Sequence, residues 1–307
     1  VRQDQPTANQ EKVSIIGGGR VGKTIGFLLA RAGFHIRGVS CLQLAEAEDA
    51  VRFIGDGAPF EDNTAVVMDS RIVLVTTPDD AISSVARALA ETPVSWSSRL
   101  VLHCSGFLTA EVLQPLALQG AAVATAHPLQ TIASPREAVK AVRQGFFCIE
   151  GDEEALPQVE ALVEQIGSRC LRINPQNKVL YHAAAVMASN YLVSLIGLCV
   201  DLLARAGVAP DQGLEALIPL IQGALDNVKQ LGHSRALTGP ISRGDVATVR
   251  GHLEGLARVG PPTDAVYRSL GLATLELALG GRSGPSLDRA FELREALEGE
   301  EPNAGFE

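Results

Sequence analysis

Lys12-Val13-Ser14-Ile15-Ile16-Gly17-Gly18-Gly19-Arg20-Val21-Gly22 is the stretch whose reading decides the fold. A short apolar run passes into a glycine turn, Val21 to Ala32 continues as an apolar helical pattern closed by Gly33, and His35 opens a second strand-like run. In that order of strand, turn and helix, the GxGxxG pattern acquires a physical meaning. Gly17 permits the tight turn, Gly19 lets the backbone approach a pyrophosphate, and Gly22 lets the helix pack on the strand. The free N–H groups at the helix start then favour phosphate. Gly17, Gly18, Gly19, Arg20, Val21 and Gly22 are therefore the expected cradle for a dinucleotide.

Outward from this loop, short β-branched runs alternate with helical stretches as far as Asn174. That alternation predicts βαβ crossovers and a parallel sheet. The expected strands are Lys12 to Ile16, His35 to Ser40, Ala65 to Val67, Arg71 to Thr76, Leu100 to Cys104, Ala122 to Thr125, Phe146 to Glu150 and Cys170 to Ile173. After Pro175 the β-rich pattern stops and nearly everything to Glu298 reads as helix. The expected organisation is a polar tail over 1–11, an α/β Rossmann domain over 12–174, an all-α domain over 175–298 and an acidic tail over 299–307.

A length of 307 residues suits two domains. The net charge of -9, with no basic stripe, argues against a nucleic-acid partner. Five cysteines without a CxxC pair fit free thiols in a reducing cytoplasm. No His or Cys pair has zinc spacing, so no metal is expected. Ala183 to Val200 carries no charge and reaches the lower length for a membrane span. Its serines, asparagine and small residues favour instead a helix buried inside a helical domain or a dimer core.

Several residues stand where chemistry is expected. Ser40 ends the second strand, where an acid would bind an unphosphorylated ribose; with Ser40-Cys41-Leu42 there instead, NADP is expected over NAD. Thr76-Thr77-Pro78 and Ser105-Gly106 follow strand ends and are expected to border the cofactor, with ordinary turn chemistry as the alternative. Lys178 and His182 lie one turn apart on a helix that returns Ser189 to the same face. Either could supply a proton beside a developing negative charge. Lys178 occupies a first turn, where the helix dipole disfavours a cation, so its placement asks for another reason. His127 follows a strand end and faces the same crevice in this reading. Arg243, in the polar loop Thr238 to Asp245, could grip a carboxylate, while Asp245 reads as a helix cap.

Val13 to Gly22, His103 to Gly106, His127 to Thr131, Lys178 to Tyr191 (KVLYHAAAVMASNY) and Ala236 to Asp245 (ALTGPISRGD) together resemble one family. It joins a Rossmann-like domain to the helical C-terminal domain of unknown function 2520, within the 6-phosphogluconate dehydrogenase-like superfamily. The resemblance implies an NAD(P)-dependent oxidoreductase, a homodimer paired through the helical domain. Superfamily relatives carry a catalytic lysine followed four residues later by asparagine; Lys178 matches the lysine and His182 replaces the asparagine.

The resulting expectation is a cytoplasmic NADPH-linked reductase of a small carboxylated keto or imino compound, ketopantoate being one candidate. Lys178 and His182 are its catalytic candidates; His127, Ser189, Asn190 and Arg243 are its substrate-binding candidates. A catalytically silent NADP-binding redox sensor and an FAD-binding protein are the rivals.

Overall fold

A computed structural model describes residues 11–281 and 284–299. The two tails expected at the ends fall almost wholly outside the described residues. The chain divides into two compact units, Val1–Asn190 and Tyr191–Glu307.

The first unit is built on one sheet of β1 (Lys12–Ile16), β2 (His35–Ser40), β3 (Ala58–Phe60), β4 (Ile72–Val75), β5 (Leu100–His103), β6 (Ala122–Pro128), β7 (Phe146–Gly151) and β8 (Arg169–Arg172). Their order is β3-β2-β1-β4-β5-β6-β7-β8. The first six reproduce the Rossmann order, which reverses direction between β1 and β4. The helices are α1 (Arg20–Arg31), α2 (Leu44–Ile54), α3 (Asn63–Val67), α4 (Asp79–Ala90), α5 (Gln114–Ala117), α6 (Pro135–Arg143), α7 (Leu156–Gln165) and α8 (Lys178–Ala188).

Strand periodicity explains the two-sided core. Val13 and Ile15 of β1, Ile72 and Leu74 of β4, and Leu100 and Leu102 of β5 join one apolar cluster. Ile16, Val73, Val75 and Val101 join the cluster on the other face. With both faces covered, the strands are apolar nearly throughout, as a parallel sheet requires.

Three expectations need correction here. Ala65 to Val67 is not a strand but the end of α3, started by Asp62, whose Oδ1 accepts a hydrogen bond from Thr64 N. A short apolar run carries no period long enough to separate helix from strand. The edge strand was instead β3, hidden because it is three residues with Pro59 in the middle, a composition tolerated at a sheet edge. The sheet is also not wholly parallel, since β7 runs antiparallel to β6.

The second unit holds α9 (Asn190–Arg205), α10 (Pro210–Leu231), α11 (His233–Ala236), α12 (Pro240–Arg243), α13 (Val246–Ala257), α14 (Thr263–Leu279) and α15 (Leu287–Glu298). Its core lies among α12 to α15, with Val249, Leu275 and Leu293 fully buried. Asp245 caps α13 as expected, accepting from both Thr248 N and Thr248 Oγ1.

Among the described residues, Pro175–Arg205 is the one helical stretch long and apolar enough to cross a membrane, and none of its most apolar window is buried within the chain. It was expected to be buried in the helical domain or in a dimer core. The first of these is met only in part: its side chains are half-buried or exposed, and none in the window is fully buried within the chain.

Candidate functional site

The glycine turn follows β1, and Thr76-Thr77 follows β4, so the reversal of strand order brings the two loops together. Thr76 N donates to Ile16 O at 2.8 Å and Thr76 Oγ1 donates to Gly17 O at 2.6 Å. Gly17 has φ of +102°, a conformation that L side chains rarely adopt. A Cβ on Gly22 would lie 2.2 Å from Gly17 O, so the helix packs against the turn at van der Waals limit. Gly18 is closed as well, with its N–H donating to Cys41 Sγ at 3.1 Å. Gly19 differs: a Cβ there would meet nothing within 4 Å. The turn is thus closed at Gly17, Gly18 and Gly22 and open at Gly19, where a pyrophosphate would approach. At the same sheet edge, Thr77 Oγ1 is buried without a hydrogen-bond partner, an uncommon arrangement that an incoming polar group would relieve. These residues fit a dinucleotide.

Other hydroxyls expected at this edge are already engaged. Ser40 is fully buried and its Oγ donates to Asn63 Oδ1 at 2.7 Å, so it faces inward and is not placed to meet a ribose phosphate. Strand alternation decides this, because one residue of register moves a side chain to the other face. Cys41, Leu42 and Gln43 follow, and none is an acid. Thr76 spends its hydroxyl on the glycine turn. Ser105 Oγ donates to Asp79 Oδ2 at 2.7 Å and accepts from Phe107 N and Leu108 N. For Thr76 and Ser105 the turn alternative holds, and Pro78 serves as the N-cap residue of α4.

Arg20, the first residue of α1, also lines a cleft of ≈ 730 Å³ with His127, Tyr181, His182, Ser189 and Asn190. His127 comes from β6, Tyr181 and His182 from α8, Ser189 from the end of α8 and Asn190 from the start of α9. Tyr181 is the residue missed in the sequence: its OH lies 2.7 Å from His127 Nδ1. Its spacing from Lys178, three residues along one helix, was the available signal. The rings of His127 and His182 are 6.3 Å apart and nearly perpendicular. Gly106 sits against both, since a Cβ there would lie 2.7 Å from His182 Cδ2 and 2.9 Å from His127 Nε2. Burial, the His182 ring and the Lys178 charge lower the pKa of His127 to about 4, with Asp79 opposing them. At neutral pH His127 is therefore an uncharged imidazole. Ser189 Oγ donates to Ala185 O at 2.7 Å, back along its own helix.

Lys178 does not line this cleft. It is fully buried, and its Nζ donates to Thr125 Oγ1 at 2.7 Å and to Glu150 Oε1 at 2.9 Å. Glu150 in turn accepts from Ala110 N at 3.0 Å. Burial lowers the lysine's pKa and Glu150 opposes the change. Here is the reason for a cation in a first helical turn: the carboxylate of β7 faces it. As a proton donor to substrate, Lys178 is out of place, and the pair instead ties α8 to β6 and β7. His103 is buried behind the same region, its pKa lowered to about 4 by burial and by Lys178. Arg243 lies exposed on α12 in the second unit.

The fold has counterparts among solved structures. A protein from Thermotoga maritima is 25% identical, covers 87% of this chain and 98% of its own, and superposes with a TM-score of 0.69. A candidate NADP oxidoreductase from Bacteroides fragilis is 22% identical over the same shares, with a TM-score of 0.71. A reductive aminase from Aspergillus terreus, solved with NADPH and ethyl levulinate, is 17% identical, covers 94% of this chain and all 100% of its own, and has a TM-score of 0.64. No curated protein matches in sequence. The family descriptions that match are a Rossmann-like domain over residues 3–128 and a domain of unknown function, DUF2520, over residues 145–274. The chain is therefore a Rossmann-like domain followed by a DUF2520 domain.

Proposed function

We propose that this protein is an NADP(H)-dependent oxidoreductase that reduces a small carboxylated keto or imino compound. One observation carries the reading: Arg20 belongs both to the phosphate-binding turn and to the polar cleft that holds His127, Tyr181 and His182. Bound, the reduced nicotinamide would supply a hydride to the carbon of C=O or C=N and leave as its oxidised form, the heteroatom taking a proton from water. The chain's own part is to hold phosphate on the Gly19 backbone and the start of α1, and to orient the substrate's heteroatom on the imidazoles. Arg20 and Asn190 carry N–H donors of the kind a carboxylate needs. The missing carboxylate after β2 and the NADPH held by the Aspergillus terreus aminase support NADP over NAD. The free cysteines suit a reducing cytoplasm.

A second copy of this chain is the proposed cover for α9 and α10. Leu214, Ile218, Leu220, Leu225 and Val228 are exposed along α10, and Val193 is exposed on α9. Apolar surface of that extent marks an interaction site.

Titrating NADPH and NADH against the full chain, and following NADPH oxidation with panels of 2-keto acids and cyclic imines, tests the function. Tighter NADPH binding and turnover with one panel are expected. Tight binding without turnover would favour the redox-sensor alternative instead.

A further inference from the structure

Tyr181 is the group that bears on which nitrogen of His127 carries the hydrogen. Besides His127 Nδ1, the other group acting on the tyrosine hydroxyl is Cys148, whose thiol burial pushes up to about 11. The tyrosine hydroxyl is itself held protonated, chiefly by burial. An O–H donating to an unprotonated imidazole nitrogen is a strong bond, whereas O–H donating to thiol sulfur is a weak one. The imidazole nitrogen is the better acceptor of the two, so the Tyr181 O–H is favoured to donate to His127 Nδ1. A neutral imidazole that accepts at Nδ1 carries its hydrogen on Nε2. Nε2 faces Gly106, where even a methyl group would come within 2.9 Å of it. Gly106 is not in the left-handed region, so glycine serves there for space and not for a turn.

We propose, building on the reductase reading, that the cleft takes a neutral carbonyl and not a cationic iminium, with His127 Nε2–H, fixed by Tyr181, donating a hydrogen bond to the carbonyl oxygen. The lining supports this choice of class. Arg20, His127 and His182 line the cleft and no Asp or Glu does. Asp79 acts on His127 electrostatically, but its Oδ2 already accepts from Ser105 Oγ. A carbonyl oxygen offers lone pairs to these donors, and gains negative charge as reduction proceeds. A protonated imine offers N–H and a positive charge, for which this lining holds no acceptor acid. His127 is thus a candidate catalytic residue and Tyr181 a positioning residue.

Long-range 1H–15N NMR of the 15N-labelled full chain reads the tautomer directly, with His127→Gln for assignment. Wild type is expected to show His127 protonated at Nε2, and Tyr181→Phe a mixture of tautomers. In NADPH oxidation, 2-keto acids are expected to exceed cyclic imines in kcat/KM by about tenfold or more, and Tyr181→Phe to lose about tenfold in kcat with KM within about twofold. His127 protonated at Nδ1 in wild type, or a preference for imines, would overturn the proposal while leaving the reductase reading intact. No NADPH oxidation with either panel would overturn both.

Discussion

The two units solve the same problem, covering apolar side chains, in different ways. In the first, each strand of the central sheet sends alternate residues into one of two clusters, and helices of the same chain cover both. In the second, α12 to α15 close around a core, but α9 contributes no buried residue and α10 only Gly213. Burying an exposed leucine gains roughly 1.5–3 kcal/mol. The first unit therefore carries its stabilisation internally, whereas the exposed apolar side chains of α9 and α10 would contribute theirs only when something covers them.

Substitution at the buried ion pair is the strongest probe of the first unit. Lys178→Ala strands the Glu150 carboxylate out of water, and a loss of about 3–5 kcal/mol is expected in urea denaturation. Lys178→Met with Glu150→Leu together should recover most of that loss. A single substitution without effect would show that the pair does not hold α8 to the sheet.

Acid is the next probe. His103 and His127 titrate at about 4 in the folded chain and at about 6.5 when unfolded. Between those values the unfolded state binds protons that the folded state does not, so stability is complete above pH 6.5 and falls as pH drops towards 4. The expected loss is about 3 kcal/mol for each histidine. Denaturation followed across this window should show the loss in the first unit; a flat profile would contradict the neutral state of both rings.

On the second unit, Leu220 is 69% exposed on α10. Leu220→Asp should weaken self-association by about 2 kcal/mol per site in sedimentation equilibrium, leaving the acid profile of the first unit unchanged. A wild-type chain that is monomeric at micromolar concentration, or that partitions into lipid vesicles, would remove the second copy as the cover. The smallest effect is expected at a cap. Asp245→Ala removes both bonds to Thr248 and should cost about 1 kcal/mol of the second unit's stability in thermal melts.

Local patterns were legible wherever the backbone itself creates the signal. The glycine turn, β1 and β2 are read from residue type and spacing because turn conformation and period-2 alternation are properties of consecutive residues. The edge strand β3 and the antiparallel β7 are not, since pairing with a distant strand decides both. At the site, His127, His182, Ser189 and Asn190 do share a cleft with Arg20, as strand ends and one helix face suggest. Ser40, Thr76 and Ser105 were legible as positions but not as roles: their hydroxyls had partners on Asn63, Gly17 and Asp79.

Lys178 separates the two kinds of knowledge most clearly. Its place in the first turn of a helix, and the oddness of a cation there, follow from the chain alone. That Glu150 waits opposite it, that Tyr181 and not Lys178 reaches His127, and that Thr77 is left unpartnered were decided by tertiary structure. The physical reason is range: turns and amphipathic faces are set within a few residues, while the ionisation and hydrogen bonding of a buried group depend on whatever the fold brings within a few ångströms of it.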